Sequence, residues 1–253
     1  MPSAYNDGAT YDRISAPLER IGREVLERLE LRGDETVLDA GCGTGRVTQA
    51  LLERLADGQV IGVDGSAEMI AAARERLGTG VELIVQDLEQ LDLAGREVDA
   101  ILSTATFHWL ADHPRLFTRL RGVLRSGGRL VAQCGGSGNT RELLAATRAA
   151  SERPEFSATL GGWSGPWNFA SPEETAERLQ RAGFTEVRTW LVSRPPPYEQ
   201  QDLREWLRTN ALTAHVARLA QPLREPFVEA VAEELGPEPS ISYIRLNIDA
   251  TAA

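Results

Sequence analysis

The segment Val37-Leu38-Asp39-Ala40-Gly41-Cys42-Gly43-Thr44-Gly45-Arg46 constrains the fold of this chain more than any other. An apolar run passes through three alternating glycines into a helical pattern, a strand-to-helix junction whose backbone can approach a bound molecule closely. The alternation then repeats. Thr36–Ala40, Val60–Val63, Val81–Val85, Ala100–Ser103 and Arg129–Gln133 read as five strands rich in Val, Ile and Leu. Arg46–Leu55, Ala67–Leu77 and His113–Leu124 read as helices between them. Continuous apolar strands alternating with helices predict an α/β, Rossmann-like doubly wound sheet, mostly parallel. A preceding helix over Pro17–Leu31 lines up Leu18, Ile21, Val25, Leu26 and Leu29 on one face.

The second half is less regular. Gly161-Gly162-Trp163-Ser164-Gly165-Pro166-Trp167 cannot continue a helix, so residues 135–172 read as a lid-like insertion. Ser171-Pro172-Glu173-Glu174 caps a helix over Pro172–Ala182 that Gly183 ends. Val187–Val192 is the sixth strand. A second excursion over residues 195–238 carries helices Asp202–Leu219 and Pro222–Leu235, and Ile241–Ile248 closes as the seventh strand. That strand has room to enter antiparallel beside the fifth. A single domain results, with an N-terminal cap and helix (1–31), a ligand-binding core (32–134) and two acceptor-side insertions.

Composition excludes several classes. With 27 basic and 37 acidic residues the net charge is -10, which opposes binding to a phosphate backbone, so no nucleic-acid partner is expected. No run approaches the ~20 apolar residues of a membrane span, and Met-Pro-Ser-Ala-Tyr-Asn-Asp lacks signal-peptide character. A cytoplasmic protein with no membrane contact is the expectation. Two cysteines and three histidines without ligand spacing predict no metal site. Nothing in the sequence bears on oligomeric state.

The acids after the glycine turn narrow the ligand. Asp64 leaves the second strand where a carboxylate accepts from ribose hydroxyls, and Asp87, followed by Leu88, leaves the third where it can accept from an exocyclic amine. Together they describe an adenosine pocket. A dinucleotide fingerprint needs Gly-x-Gly-x-x-Gly, but here the third glycine comes one residue early, and Asp39 would repel a diphosphate while suiting an ammonium.

The run Val-Leu-Asp-Ala-Gly-Cys-Gly-Thr-Gly-Arg, with Val-Asp-Gly-Ser-Ala-Glu-Met-Ile and Gln-Asp-Leu, resembles the class I S-adenosylmethionine-dependent methyltransferases. Phe107-His108-Trp109-Leu110-Ala111-Asp112-His113 and Leu124-Arg125-Ser126-Gly127-Gly128 resemble their small-molecule, trans-aconitate methyltransferase-like branch, which has Gln-Trp where this chain has His108-Trp109. The resemblance implies that Gly41, Gly43 and Gly45 flank the methionine part of S-adenosyl-L-methionine, with Asp39, Cys42 and Gly65 completing the loop contacts. It further implies that Asp64 holds the ribose, Met69 and Leu88 sandwich the adenine, and Asp87 caps its amine. Ser103 and Thr104 would lie near the sulfonium, and Tyr11 would fold over the cofactor.

The expected reaction moves a methyl group to an oxygen, nitrogen or carbon nucleophile of a small-molecule acceptor. His108, just beyond a strand's carboxyl end, is the candidate general base or acceptor-positioning group. Trp109 packs on the sheet or meets substrate. Trp163, Trp167 and Phe169 either line the acceptor pocket, the favoured reading, or wedge the insertion closed. The competing readings are an NAD-linked oxidoreductase and a non-catalytic S-adenosylmethionine-binding protein.

Overall fold

The computed structural model describes residues 19–196, 198 and 200–253. Seven strands, β1 (Thr36–Ala40), β2 (Gln59–Asp64), β3 (Glu82–Val85), β4 (Val98–Thr104), β5 (Leu124–Gly135), β6 (Phe184–Arg194) and β7 (Tyr243–Ala252), form one sheet in the order β3-β2-β1-β4-β5-β7-β6. All neighbours pair parallel except β7, which runs antiparallel to both β5 and β6. The expected Rossmann-like architecture is therefore present, with the last strand beside the fifth.

Helix α1 occupies residues 19–27 within the expected span. With α2 (Arg46–Leu52) it covers one face of the sheet, where Val25, Leu26, Leu29 and Leu51 bury against Val37, Val60, Leu102 and Val131. Helix α3 (Ala67–Leu77), capped by Ser66, packs over β2 and β3 through Ile70, Ala73 and Leu83. The opposite face is covered by α4 (His113–Val123) and α7 (Pro172–Arg181). There Leu116, Phe117, Leu120 and Leu179 meet Leu38, Ile101, Leu130 and Ile248. Each such side chain contributes about 1.5–3 kcal/mol of burial. Ser171 and Glu174 complete the expected capping box.

The two insertions pack on each other. Helices α5 (Arg141–Ser151) and α6 (Pro154–Leu160) from the first, and α8 (Leu203–Trp206), α9 (Thr213–Arg218) and α10 (Gln221–Leu235) from the second, share a core of Leu143, Phe156, Trp206, Leu212, Phe227 and Val231. The single helix expected over Asp202–Leu219 is broken: Leu207–Ala211 widens into a π turn. This helical cap explains the direction of β7. The second insertion leaves β6 at the sheet's carboxyl edge and returns there, so the strand that follows must run back antiparallel. No helix among the described residues is long and apolar enough to cross a membrane.

Candidate active site at the switch point of the sheet

The strand order reverses between β1 and β4, the crevice where doubly wound sheets bind ligands. There the Gly41 and Cys42 N–H groups both donate to the Val63 carbonyl, at 2.8 and 3.1 Å. Gly41 has φ +84°, and a Cβ built on it would overlap the Thr106 side chain. Thr106 Oγ1 in turn donates to the Gly41 carbonyl at 3.3 Å and the Thr104 carbonyl at 2.9 Å. Only glycine lets the two chain segments meet this closely. Gly43, by contrast, faces open space.

Asp64, at the end of β2, accepts from the Gly43 N–H at 3.0 Å and the Ser66 N–H at 2.8 Å, so it splints the loop to the start of α3. Two bonds leave a carboxylate further lone pairs for ligand hydroxyls. Met69, half-buried on α3, stands on the same edge, as does exposed Gly65. Asp87 caps the short turn Leu88–Gln90 through the Glu89 N–H at 2.9 Å and is otherwise exposed.

Asp39 is 1% exposed. Its Oδ2 accepts from Thr48 Oγ1 at 2.6 Å, but Oδ1 is buried without a partner among the described residues. Burial, opposed by the Thr48 hydroxyl and aided by the Asp64 charge, pushes its pKa up to about 6. An orphaned buried carboxylate oxygen beside a glycine cradle suits a ligand ammonium. A folded-state pKa above the unfolded value means that the associated stability is complete below pH ~4 and is lost as pH rises through 6, about 3 kcal/mol in all. Between pH 5 and 7.5 the melting temperature of the protein should therefore fall by roughly 2–4 °C relative to Asp39→Asn. Over the same range, affinity for S-adenosylmethionine should rise about tenfold as the carboxylate ionises. Parallel melting curves would show that Asp39 is not raised, and an affinity that stays flat over this range would sink the ammonium assignment.

Three of the expected cofactor residues have buried side chains. Leu88 is 3% exposed and packs in the core with Leu91, Leu93 and Phe117, because capping by Asp87 rolls the turn inward. Cys42 is buried with Ile70, Ala73 and Leu83 beneath α3, which leaves only its backbone toward the loop, and burial pushes its thiol up. Cys134 lies apart from it, in the α4-side core. Ser103 is buried, its hydroxyl spent on the Ala40 carbonyl at 2.7 Å, so of the pair at the end of β4 only half-buried Thr104 remains open. Tyr11 lies outside the described residues.

On the β4–β5 side, Ala105 adopts φ +55° and donates its N–H to the Gln133 carbonyl at 2.7 Å, a strained turn that delivers Phe107–Trp109 over the sheet edge. His108 is 7% exposed, and its Nδ1 accepts from the Gly135 N–H at 3.3 Å. With Nδ1 an acceptor, the neutral ring carries its proton on Nε2, which has no partner among the described residues. Burial, helped by the charges of Arg245 and His113, holds its pKa well below the usual histidine value. The ring is thus placed to donate a hydrogen bond from Nε2 at neutral pH.

Asn168 stitches the aromatic insertion to this turn, donating from its N–H to the His108 carbonyl at 2.9 Å and from its amide to Leu110 and Ala111. Phe169 stacks on His108 at 5.7 Å and fills the space that a side chain on Gly135 would take. Trp167 stacks on Phe169 and meets exposed Trp109, both at 6.1 Å. Trp163 packs on His215 at 4.6 Å under Arg218, against the cap core, and Trp167 also reaches His215, at 5.4 Å. Phe169, Trp167 and Trp109 therefore form one aromatic wall beside His108, while Trp163 wedges the cap.

Comparison with known proteins agrees with this geometry. A family model described as "Methyltransferase domain" matches residues 37–128. An uncharacterised methyltransferase of Schizosaccharomyces pombe is 31% identical over 217 residues, 83% of this chain and 82% of its own. A trans-aconitate 2-methyltransferase of Deinococcus radiodurans is 32% identical over 217 residues, 82% of this chain and 80% of its own. Among solved structures, a phosphoethanolamine N-methyltransferase of Haemonchus contortus superposes with a TM-score of 0.64 at 19% identity, covering 96% of this chain and 56% of that one.

Proposed function

The chain belongs to the class I S-adenosylmethionine-dependent methyltransferases, and from that membership we propose that its acceptor is a small polycarboxylate, methylated on a carboxylate oxygen. The observation that carries this reading is the tautomer of His108. With Nδ1 engaged by the Gly135 N–H and the ring kept neutral by burial, the imidazole that stacks on Phe169 donates a hydrogen bond and does not abstract a proton. A phenol or amine acceptor needs a base, whereas a carboxylate is already ionised at neutral pH. The trans-aconitate methyltransferase of Deinococcus radiodurans, named for an acceptor that carries carboxylates, supports the same choice.

Bound S-adenosylmethionine supplies an electrophilic sulfonium methyl whose displacement needs no protein nucleophile. The residues here then have three tasks. Asp64 and the Gly41–Gly45 turn bind the nucleoside and methionine portions, with Asp39 facing the ammonium. His108 Nε2–H orients an acceptor oxygen. Phe169, Trp167 and the cap exclude water, so that correct placement, worth up to roughly 7–11 kcal/mol in well-oriented reactions, replaces acid–base catalysis.

The reading is tested by incubating the protein with S-adenosylmethionine and trans-aconitate, citrate or tricarballylate, and looking by mass spectrometry for a gain of one methyl that alkaline hydrolysis removes. The kcat of ester formation should be flat from pH 6 to 8, since burial favours the neutral His108 ring and an ionised carboxylate acceptor needs no base. Methyl transfer to amines or phenols but to no carboxylate, or a kcat that climbs tenfold per pH unit through 6 to 7, would overturn the proposal.

A further inference from the structure

Arg245 is 3% exposed and sits near the start of β7, opposite Gly135 at the carboxyl end of β5. Among the described residues its polar contacts are a 3.5 Å hydrogen bond from Nε to Gln133 and a stack on the Tyr243 ring at 5.0 Å. No described carboxylate pairs with it. Two other arginines on this flank of the sheet are compensated, Arg28 by Asp249 at 3.4 Å and Arg194 by Glu24, while Arg188 is exposed to solvent. An uncompensated buried guanidinium costs several kcal/mol and persists where an anion arrives from outside.

Directly opposite residues of an antiparallel pair point to the same face. Gly135 and Arg245 are such a pair, and the space above the Gly135 Cα is filled by Phe169, which stacks on His108. Arg245, His108 and the Phe169 ring thus stand together at the end of β5. β7 lies two strands from β4, ~10 Å, about the span between the switch-point crevice and the far end of a short polycarboxylic acid.

We propose that Arg245 is the anchor for a second, non-reacting carboxylate of the acceptor, held by the two terminal nitrogens of the guanidinium while another carboxylate of the same molecule faces the methyl donor. Arg suits this role because its planar fork matches a carboxylate bidentately, whereas a carboxylate held this way is a poor nucleophile. The anchored group is therefore the one that does not react. This inference rests on the polycarboxylate reading above and adds its specificity determinant.

The test separates binding from turnover. Tricarballylate and its monocarboxylate counterpart butanoate are titrated calorimetrically into the full chain saturated with S-adenosylhomocysteine. The natural protein should bind tricarballylate at least 100-fold more tightly than butanoate. Arg245→Gln should reduce that preference to less than fivefold with cofactor affinity unchanged, and Arg245→Lys should restore about a tenth of it. Failure of the natural protein to prefer tricarballylate, or an unchanged preference in Arg245→Gln, overturns the inference. Should Arg245→Gln not fold, Arg245→Lys decides: a preference equal to that of the natural protein overturns it, and a tenfold loss supports it. Tight tricarballylate binding without any methyl ester formed would instead sink the proposed reaction and leave the anchor standing.

Discussion

Replacing Gly41 by alanine is expected to cost the protein both stability and its cofactor. At φ +84° an L-residue pays roughly 1–2 kcal/mol of backbone strain, and the new methyl would overlap Thr106, whose hydroxyl is already committed to the Gly41 and Thr104 carbonyls. Forcing the two segments apart adds an overpacking cost of about 1–3 kcal/mol. The sum, about 3 kcal/mol, should lower Tm by roughly 6–12 °C and weaken S-adenosylmethionine binding by more than tenfold. The Gly41→Ala/Thr106→Ala pair separates the two causes. Overlap with Oγ1 and Cγ2 disappears in the double variant, while the 2.6 Å approach to the Thr106 Cβ and the backbone strain remain, so it should recover only part of the lost stability. A double variant no more stable than Gly41→Ala would show that contact with Thr106 is irrelevant.

Asp64→Ala should have the larger effect on ligand affinity and the smaller one on the fold. The carboxylate holds the Gly43 and Ser66 N–H groups at 3.0 and 2.8 Å, so its removal frees the loop on one side and deprives the ribose of acceptors on the other. Hydrogen bonds to a charged group contribute about 1.5–3 kcal/mol each, and two of them correspond to a loss of about 10²–10⁴ in affinity for S-adenosylmethionine. Both orphaned N–H groups lie at a half-exposed edge where water can replace the carboxylate, so Tm should change by only a few degrees. Asp64→Asn, which keeps one acceptor oxygen, should fall between the two. Calorimetry that finds the affinity of Asp64→Ala within threefold of the natural protein would remove Asp64 from the cofactor site.

The parts of this site that could be read along the chain share one property: their function depends on residues close in sequence. The glycine turn, Asp39 just before it and Asp64 at the end of its strand are placed by strand and helix periodicity and the turn residues themselves. Where a side chain's direction depends on a turn or a neighbouring strand, the sequence does not fix it. Capping by Asp87 was enough to rotate Leu88 from the crevice into the core, and Ser103 lost its hydroxyl to the neighbouring strand. Cys42 and Trp163 show the same limit, since whether a small or aromatic residue faces a ligand or a helix is settled by what packs over it. Arg245 carried a signal that went unused: a lone charge in the apolar run Ile244-Arg245-Leu246-Asn247-Ile248, on one face with Asn247.

The linear chain determined the class of fold, the switch-point crevice and the kind of cofactor, because apolar periodicity and the glycine turn are local and the sheet can satisfy them in only one way. The acceptor side was decided by tertiary structure. His108 became a donor when Gly135, on another strand, supplied the N–H that fixes its tautomer. Two insertions became one cap when their apolar faces buried each other. Arg245 reached the same region only because β7 returned from that cap antiparallel to β5. Each depends on which strand lies beside which, and strand order is settled by burial summed over the whole sheet, a quantity that no local window of residues contains.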